Sequence, residues 1–465
     1  MSHNKRSNRS GERPSAVRTT WVLTLGLAAA LLGAPAALRA ATYTWDGGGN
    51  GVGNAGNFHL KQNWGNATGA PGAITDDLVF TNVVGSSSTP TLTTDEATHS
   101  ITFNAGAAAF TIGGAGSVLT IGSGGIVNNS SNTEAFSVGS ITLAAAQTWL
   151  AASGNLSFSG LAITNAGFTL TIDGAQNTSI SAAISGTGGL TKTGAGILTL
   201  SNVGNTYSGT TQLVTGTLLF AASNVLGSGA LDVSGGTLDL ASFSDTVGAV
   251  TLTGGSINGV GGVLTGTIYD LRSGSVSAML GGAGVGLTKS TAGTVNLSGA
   301  NTYTGATTVS VGTLALTSTG SINSASSLTI GAGATFQTAS AFSLASRSLE
   351  IGVASASSNG FLNDGGALTY GGTIKFTISG TYAVQSWNLL DFTSRSGHAS
   401  SVILAGSYGG SLVRTGDLWT GVVGGAPWSF NEADGVLSVP EPSSWVTLLG
   451  GLGAMLGFQR MRRRF

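Results

Sequence analysis

The stretch Gly189-Leu-Thr-Lys-Thr-Gly-Ala-Gly-Ile-Leu-Thr-Leu-Ser-Asn-Val-Gly-Asn-Thr-Tyr-Ser-Gly209, followed by Val214-Thr-Gly-Thr-Leu218, decides how the chain is read. It returns as Gly286-Leu-Thr-Lys-Ser-Thr-Ala-Gly-Thr-Val-Asn-Leu-Ser-Gly-Ala-Asn-Thr-Tyr-Thr-Gly305 with Val311-Gly-Thr-Leu314, so that Lys192 aligns with Lys289 and Tyr207 with Tyr303. A finer beat runs beneath the block. Glycines opening short β-type runs stand at Gly196, Gly216, Gly236, Gly255, Gly274, Gly293 and Gly312, in steps of 19 or 20 residues. Two residues after each comes an aliphatic: Leu198, Leu218, Leu238, Ile257, Val276, Val295 and Leu314.

That spacing has a direct physical meaning. A coil of about 20 residues holds two or three short strands plus turns, and stacks on the next coil at about 4.8 Å by backbone hydrogen bonds. An aliphatic at one fixed place per coil builds a continuous internal column. Glycine at the corner supplies the positive φ of a tight turn. The expected fold is all-β, a right-handed parallel β-helix (solenoid) with β-rich N- and C-terminal caps. The competing array of β-sandwich domains, suggested by the 97-residue distance between Lys192 and Lys289, does not account for the finer beat.

Composition agrees. Of 465 residues, 76 are Gly, 41% are hydrophobic and only 8% are charged, which suits short apolar strands joined by tight turns rather than a disordered chain. Glycine does not recur every third residue, which excludes collagen. Formal charge is −1 overall, but between residues 41 and 440 eight basic residues face seventeen acids, a charge of −9. The basic residues concentrate at the two ends, so no clustered basic face is expected and nucleic acid is excluded as a partner. Zero cysteines remove thiol catalysis, thiolate metal sites and disulfide scaffolds.

The two ends read as transport signals. Basic residues from Lys5 to Arg18 precede the apolar run Trp21-Val-Leu-Thr-Leu-Gly-Leu-Ala-Ala-Ala-Leu-Leu32, then small residues around Ala36 and Ala40. This is the order of a secretory signal peptide, residues 1–40, cleaved after Ala36 or Ala40 and too short in its apolar run to span a bilayer. No paired arginines suggest a twin-arginine route. At the other end, Val439-Pro-Glu-Pro-Ser443 leads into the short apolar segment Trp445–Phe458 and the cluster Arg460, Arg462, Arg463 and Arg464. Positive charge beyond an apolar segment holds a tail in the membrane with the body outside.

The order Pro-Glu-Pro, apolar segment, arginine cluster resembles the PEP-CTERM sorting signal of Gram-negative bacteria. The resemblance implies that Pro440, Glu441 and Pro442, with Arg460, Arg462, Arg463 and Arg464, form a sorting motif read by an exosortase, a membrane cysteine protease that removes such tails. The larger block is similar to the autotransporter-associated β-strand repeat of secreted passenger domains, with copies at 188–219 and 285–315. The C-terminal membrane barrel of autotransporters is not part of the sequence, and the sorting tail stands in its place.

The expected layout is a signal peptide (1–40), an N-terminal β cap (41–100), a solenoid (101–344), a C-terminal β-rich cap (345–438) and the sorting segment (439–465). Five of the six tryptophans outside the signals, Trp45, Trp64, Trp387, Trp419 and Trp428, flank the repeats, and Trp149 lies within the expected solenoid. Chemistry is sparse. The pairs Asp76-Asp77 and Asp95-Glu96 point to opposite faces if they lie on strands. They read, with Asp232, Asp239 and Asp245, as solvated strand and turn acids. His59, His99 and His398 are scattered without metal-ligand spacing, and no Gly-x-Ser-x-Gly elbow stands out. The reading is of a non-enzyme with no catalytic residues, cofactor or metal: a cell-surface or extracellular-matrix protein of structural or adhesive role. Its expected partners are an exosortase-type protease, exopolysaccharide and neighbouring surface proteins, with membrane contact through the C-terminal segment before processing. The alternative is a β-helix polysaccharide lyase or hydrolase.

Overall fold

A computed structural model describes residues 40–46, 56–59, 61–65, 70–82, 88–160, 162–355, 357–382 and 385–439. The signal segment 1–39 and the sorting motif from Pro440 onward, including Glu441, Pro442 and Arg460 to Arg464, lie outside the described residues. Among the described residues every regular element is a strand except one 3-10 turn at Lys61–Asn63, and there is no α-helix. No helix among them is long and apolar enough to cross a membrane.

The strands wind as a parallel β-helix of about 13 turns, the expected fold. Each coil contributes a strand to the same two parallel sheets. In one sheet Leu170 pairs with Leu190, Leu190 with Thr211, Thr211 with Leu231 and Leu231 with Val250. In the other, Thr178 pairs with Leu198, Leu198 with Leu218, Leu218 with Leu238 and Leu238 with Ile257. A third side is built of short strands, such as Val263–Thr265 on Met279–Gly281, or of irregular loops.

Alternation makes the core. Along strands such as Thr217–Phe220 every second side chain is buried, and all seven aliphatics of the beat are at most 1% exposed. They do not form one unbroken column, however. Val276 pairs with Leu297, and Val295 instead opposes Gly274 and Leu314. The corner from Lys289 to Val295 is one residue longer than that from Leu271 to Val276, and the slip is of two residues. Only an even slip keeps every side chain on its own face.

The glycines divide into two kinds. Gly216, Gly236, Gly255, Gly274 and Gly312 have the positive φ expected of corners. Gly196 and Gly293 do not; at Gly196 a Cβ would collide with the Gln176 carbonyl of the coil below, so close stacking explains the residue.

Both ends of the parallel stack are closed by antiparallel strands. At the start, strand Thr42–Trp45 pairs in parallel with Asp77–Phe80, and Trp64–Gly65 crosses it antiparallel. Trp45, Phe58, Trp64 and Phe80 fill that end with rings 5.0–6.2 Å apart. Parallel stacking therefore already operates in the stretch 41–100. At the other end it persists through Thr373–Ile378 on Ser401–Gly406. An antiparallel meander then follows, Gly410–Thr415, Leu418–Val423, Ala426–Asn431 and Val436–Val439, with Gln385–Asn388 paired on its last strand. Trp387 stacks on Trp428 at 6.1 Å. An open rung would template pairing with other chains, and these antiparallel strands occupy that edge.

Candidate functional site

The invariant-looking residues of the repeated block turn out to serve the coil. Lys192 and Lys289 face inward, at 2% and 0% exposure. Lys192 Nζ donates to the turn carbonyls of Thr193 and, at 2.8 Å, Gly194; Lys289 Nζ donates to Thr291 and, at 3.2 Å, Val311. Each amine satisfies carbonyls that a corner would otherwise leave unpaired, and burial lowers both pKa values. Tyr207 and Tyr303 repeat one geometry, each hydroxyl 2.7 Å from a threonine hydroxyl, Thr211 and Thr307. Burial pushes the Tyr207 phenol up to about 12. The asparagine of Asn-Thr-Tyr joins three coils. Asn301 accepts from Leu280 N and donates to Ser321 O, both at 2.9 Å, while Asn205 accepts from Ile184 N and donates to Val225 O at 2.7 and 2.5 Å.

What the stack offers to solvent is a column of polar side chains. Between the buried positions of the first sheet, successive rungs place Thr148, Thr171, Thr191, Gln212, Asp232, Thr251, Asp270, Thr288, Thr308, Thr329, Glu350 and Lys375 directly above one another. Twelve rungs at about 4.8 Å span about 50 Å. Two of its acids are locally paired, Asp270 with Arg272 at 2.8 Å and Glu350 with Lys375 at 3.1 Å. Side chains fixed by a sheet have already lost the freedom that binding would otherwise take from them.

The acids depart from expectation. Asp76, Glu96 and Asp245 are buried rather than solvated, at 4%, 3% and 2% exposure. Asp245 accepts from Val225 N, Leu226 N and Thr246 N, so it caps a turn. Within Asp76-Asp77 the two faces do alternate, and Asp77 is only half-buried.

Among the described residues each histidine meets an acid from a neighbouring coil or strand. His59 Nε2 lies 2.9 Å from Glu96 Oε2. His99 Nδ1 lies 2.8 Å from Asp77 Oδ1 and its Nε2 3.3 Å from Ser123 Oγ, a serine–imidazole–carboxylate relay across three successive rungs. At Gly124 a Cβ would come within 2.9 Å of His99 Cε1, so that glycine makes room for the ring. Against the C-terminal meander, His398 Nδ1, from the connection before Ser401–Gly406, sits 2.7 Å from Glu432 Oε2 and 3.8 Å from Asp417 Oδ1. Glu432 is wholly buried and held by Ala399 N and Trp419 Nε1, while Arg395 pairs with Asp417. The three ligand-type atoms lie within 4.8 Å of one another, a grouping able to hold a metal ion that the sequence reading missed. The available signal was the coil period: Asp77, His99 and Ser123 are 22 and 24 residues apart.

Residues 190–220 and 287–316 match the passenger-associated-transport-repeat family, within a residue or two of the two copies read from the sequence. No curated protein and no solved structure matches the chain. Solenoid and repeats together fit a surface-exposed, passenger-like protein.

Proposed function

We propose that the protein is an exported structural or adhesive component of the cell surface or extracellular matrix, its tail processed by an exosortase-type protease. The observation behind the adhesive part is the twelve-rung polar column, in which seven threonine hydroxyls are interspersed with amide and charged side chains at a spacing comparable with one pyranose unit. Exopolysaccharide is the partner such a row suits. Replacing Thr288 and Thr308 together by glutamate puts like charges on adjacent rungs beside Asp270. The double variant should hold exopolysaccharide from the producing cells at least tenfold more weakly in sedimentation assays, and unchanged binding overturns the reading.

The tail carries a separate expectation. Intact mass of the secreted form should place its C-terminus near Pro440–Ser444. A mature protein retaining Arg462 to Arg464 refutes exosortase handling.

A second reading, an enzyme acting on polysaccharide, draws on the Asp77–His99–Ser123 relay, in which imidazole is placed to accept the serine proton. Ser123 is exposed and stands on a strand in water. There, charge developing in a reaction is screened by solvent instead of being met by fixed donors, and this favours the structural role. Cleavage of any member of a glycan panel by the purified protein decides for the enzyme.

A further inference from the structure

Arg347 is a buried cation that joins no ion pair among the described residues. Arg347 lies at a corner near the C-terminal end of the solenoid, 6% exposed, with Cζ 4.5 Å above the Phe342 ring. Its Nε and Nη1 are buried and donate to nothing. The buried acid Asp364 is directed elsewhere, accepting from Thr338 Oγ1, Phe342 N and Gly366 N. Leaving a buried guanidinium unpaired is expensive, and the surroundings of such a group are the first place to look for a ligand of opposite charge.

A cavity lies against it. About 150 Å³ of space between two successive coils, just beyond the second matched repeat, is lined by Arg347, Phe342, Thr338, Ser321, Ser340 and Ser343. Ser340 and Ser343 are exposed while Arg347, Phe342 and Thr338 are buried, so serine hydroxyls rim the space and the arginine belongs to its inner wall. The volume holds about five waters, or a carboxylate with part of the ring that bears it. We propose that this cavity is a carboxylate-binding site that takes the carboxylate of an acidic sugar, with Arg347 as its charge anchor. A planar guanidinium presents its N–H donors in a fixed fork matched to carboxylate oxygens, and the serine hydroxyls can pair with sugar hydroxyls. Phe342 holds the guanidinium plane from one side. The source of the sugar rests on the glycan contact proposed above; the site itself does not.

The test is calorimetric titration of the secreted protein with glucuronate, glucose, sulfate and a uronate trimer. Glucuronate should saturate, glucose should not, and the trimer should bind no more weakly than the monosaccharide. Arg347→Met, which keeps the stem and removes the charge, should weaken glucuronate at least tenfold while retaining the circular dichroism of the parent. Ser340→Trp, which leaves the guanidinium intact and fills the mouth, should do the same. Glucuronate binding no tighter than glucose overturns the site, as does equal binding by both variants. Sulfate binding as tightly as glucuronate overturns the sugar assignment and leaves an adventitious ion only. Loss of polysaccharide binding in the column variant, with glucuronate titration unchanged, shows that the two surfaces act separately and leaves this site standing.

Discussion

Leu238→Asp will break the solenoid in its middle, and the two flanking stacks will melt separately. Leu238 is 0% exposed, paired below with Leu218 and above with Ile257. Truncating a buried leucine costs about 2–5 kcal/mol through lost transfer and residual cavity. A carboxylate with no partner among aliphatics adds a further penalty of at least about 2 kcal/mol. In a globular core such a loss would be shared across many contacts. Here each coil touches only its neighbours, so stability is close to a sum of rung and interface terms. The defect therefore falls on two interfaces, Leu218–Leu238 and Leu238–Ile257, and uncouples what lies on either side. Calorimetry should show two transitions where the parent shows one, and limited proteolysis should cut first between residues 231 and 260. Leu238→Ile, which copies Ile257 one rung away, should cost under about 1.5 kcal/mol and leave the melt whole. A single unshifted transition in the aspartate variant would falsify the ladder account.

The ladder was legible in sequence because a solenoid repeats the same requirement in every coil. Seven glycines and seven aliphatics at steps of 19 or 20 residues announce both corner and core. What escaped were the features that depend on register between coils. The slip that sets Val276 against Leu297 leaves the 19-residue step untouched and so leaves no trace in the beat. Asp245 and Glu96 read as surface acids because nothing in their own coils reveals the backbone N–H groups or the histidine that the adjacent coil brings. Lys192 and Lys289 marked the repeat correctly, yet their role, closing the corner carbonyls, appears only once the chain has turned. Arg347 stood in the sequence as one more base in an acidic body; its isolation is a property of packing alone.

Raising the pH from 5 to 9 will destabilise the N-terminal coils, and Glu96→Gln will remove much of that loss. Glu96 is 3% exposed, its Oε1 has no partner, and burial, with Asp76 adding to it, lifts its pKa to about 8. Glu134, wholly buried, is raised by burial to about 7 although Ser130 Oγ and Phe110 N bond to it. The partner His59 has its pKa lowered by burial, so at neutral pH the 2.9 Å contact joins a carboxylic acid to a neutral imidazole rather than two ions. In the unfolded chain both glutamates titrate near 4.5, the ordinary value. Below that value folded and unfolded forms are protonated alike, and the full stability is present. Between about 4.5 and the raised folded values the native state binds more protons, and stability falls as pH climbs, by about 1.4 kcal/mol per pH unit for each proton in excess. The loss is complete above about 8. Glu96→Gln should match the parent at pH 5 and exceed it at pH 9 in the protection of amides from Glu96 to Asn128 against hydrogen exchange. An infrared carboxylic-acid band present in the parent at pH 7 should weaken in the variant. Stability that rises with pH over this range, or a variant whose slope equals the parent's, would show that water reaches Glu96 and that the N-terminal coils are looser than their packing indicates.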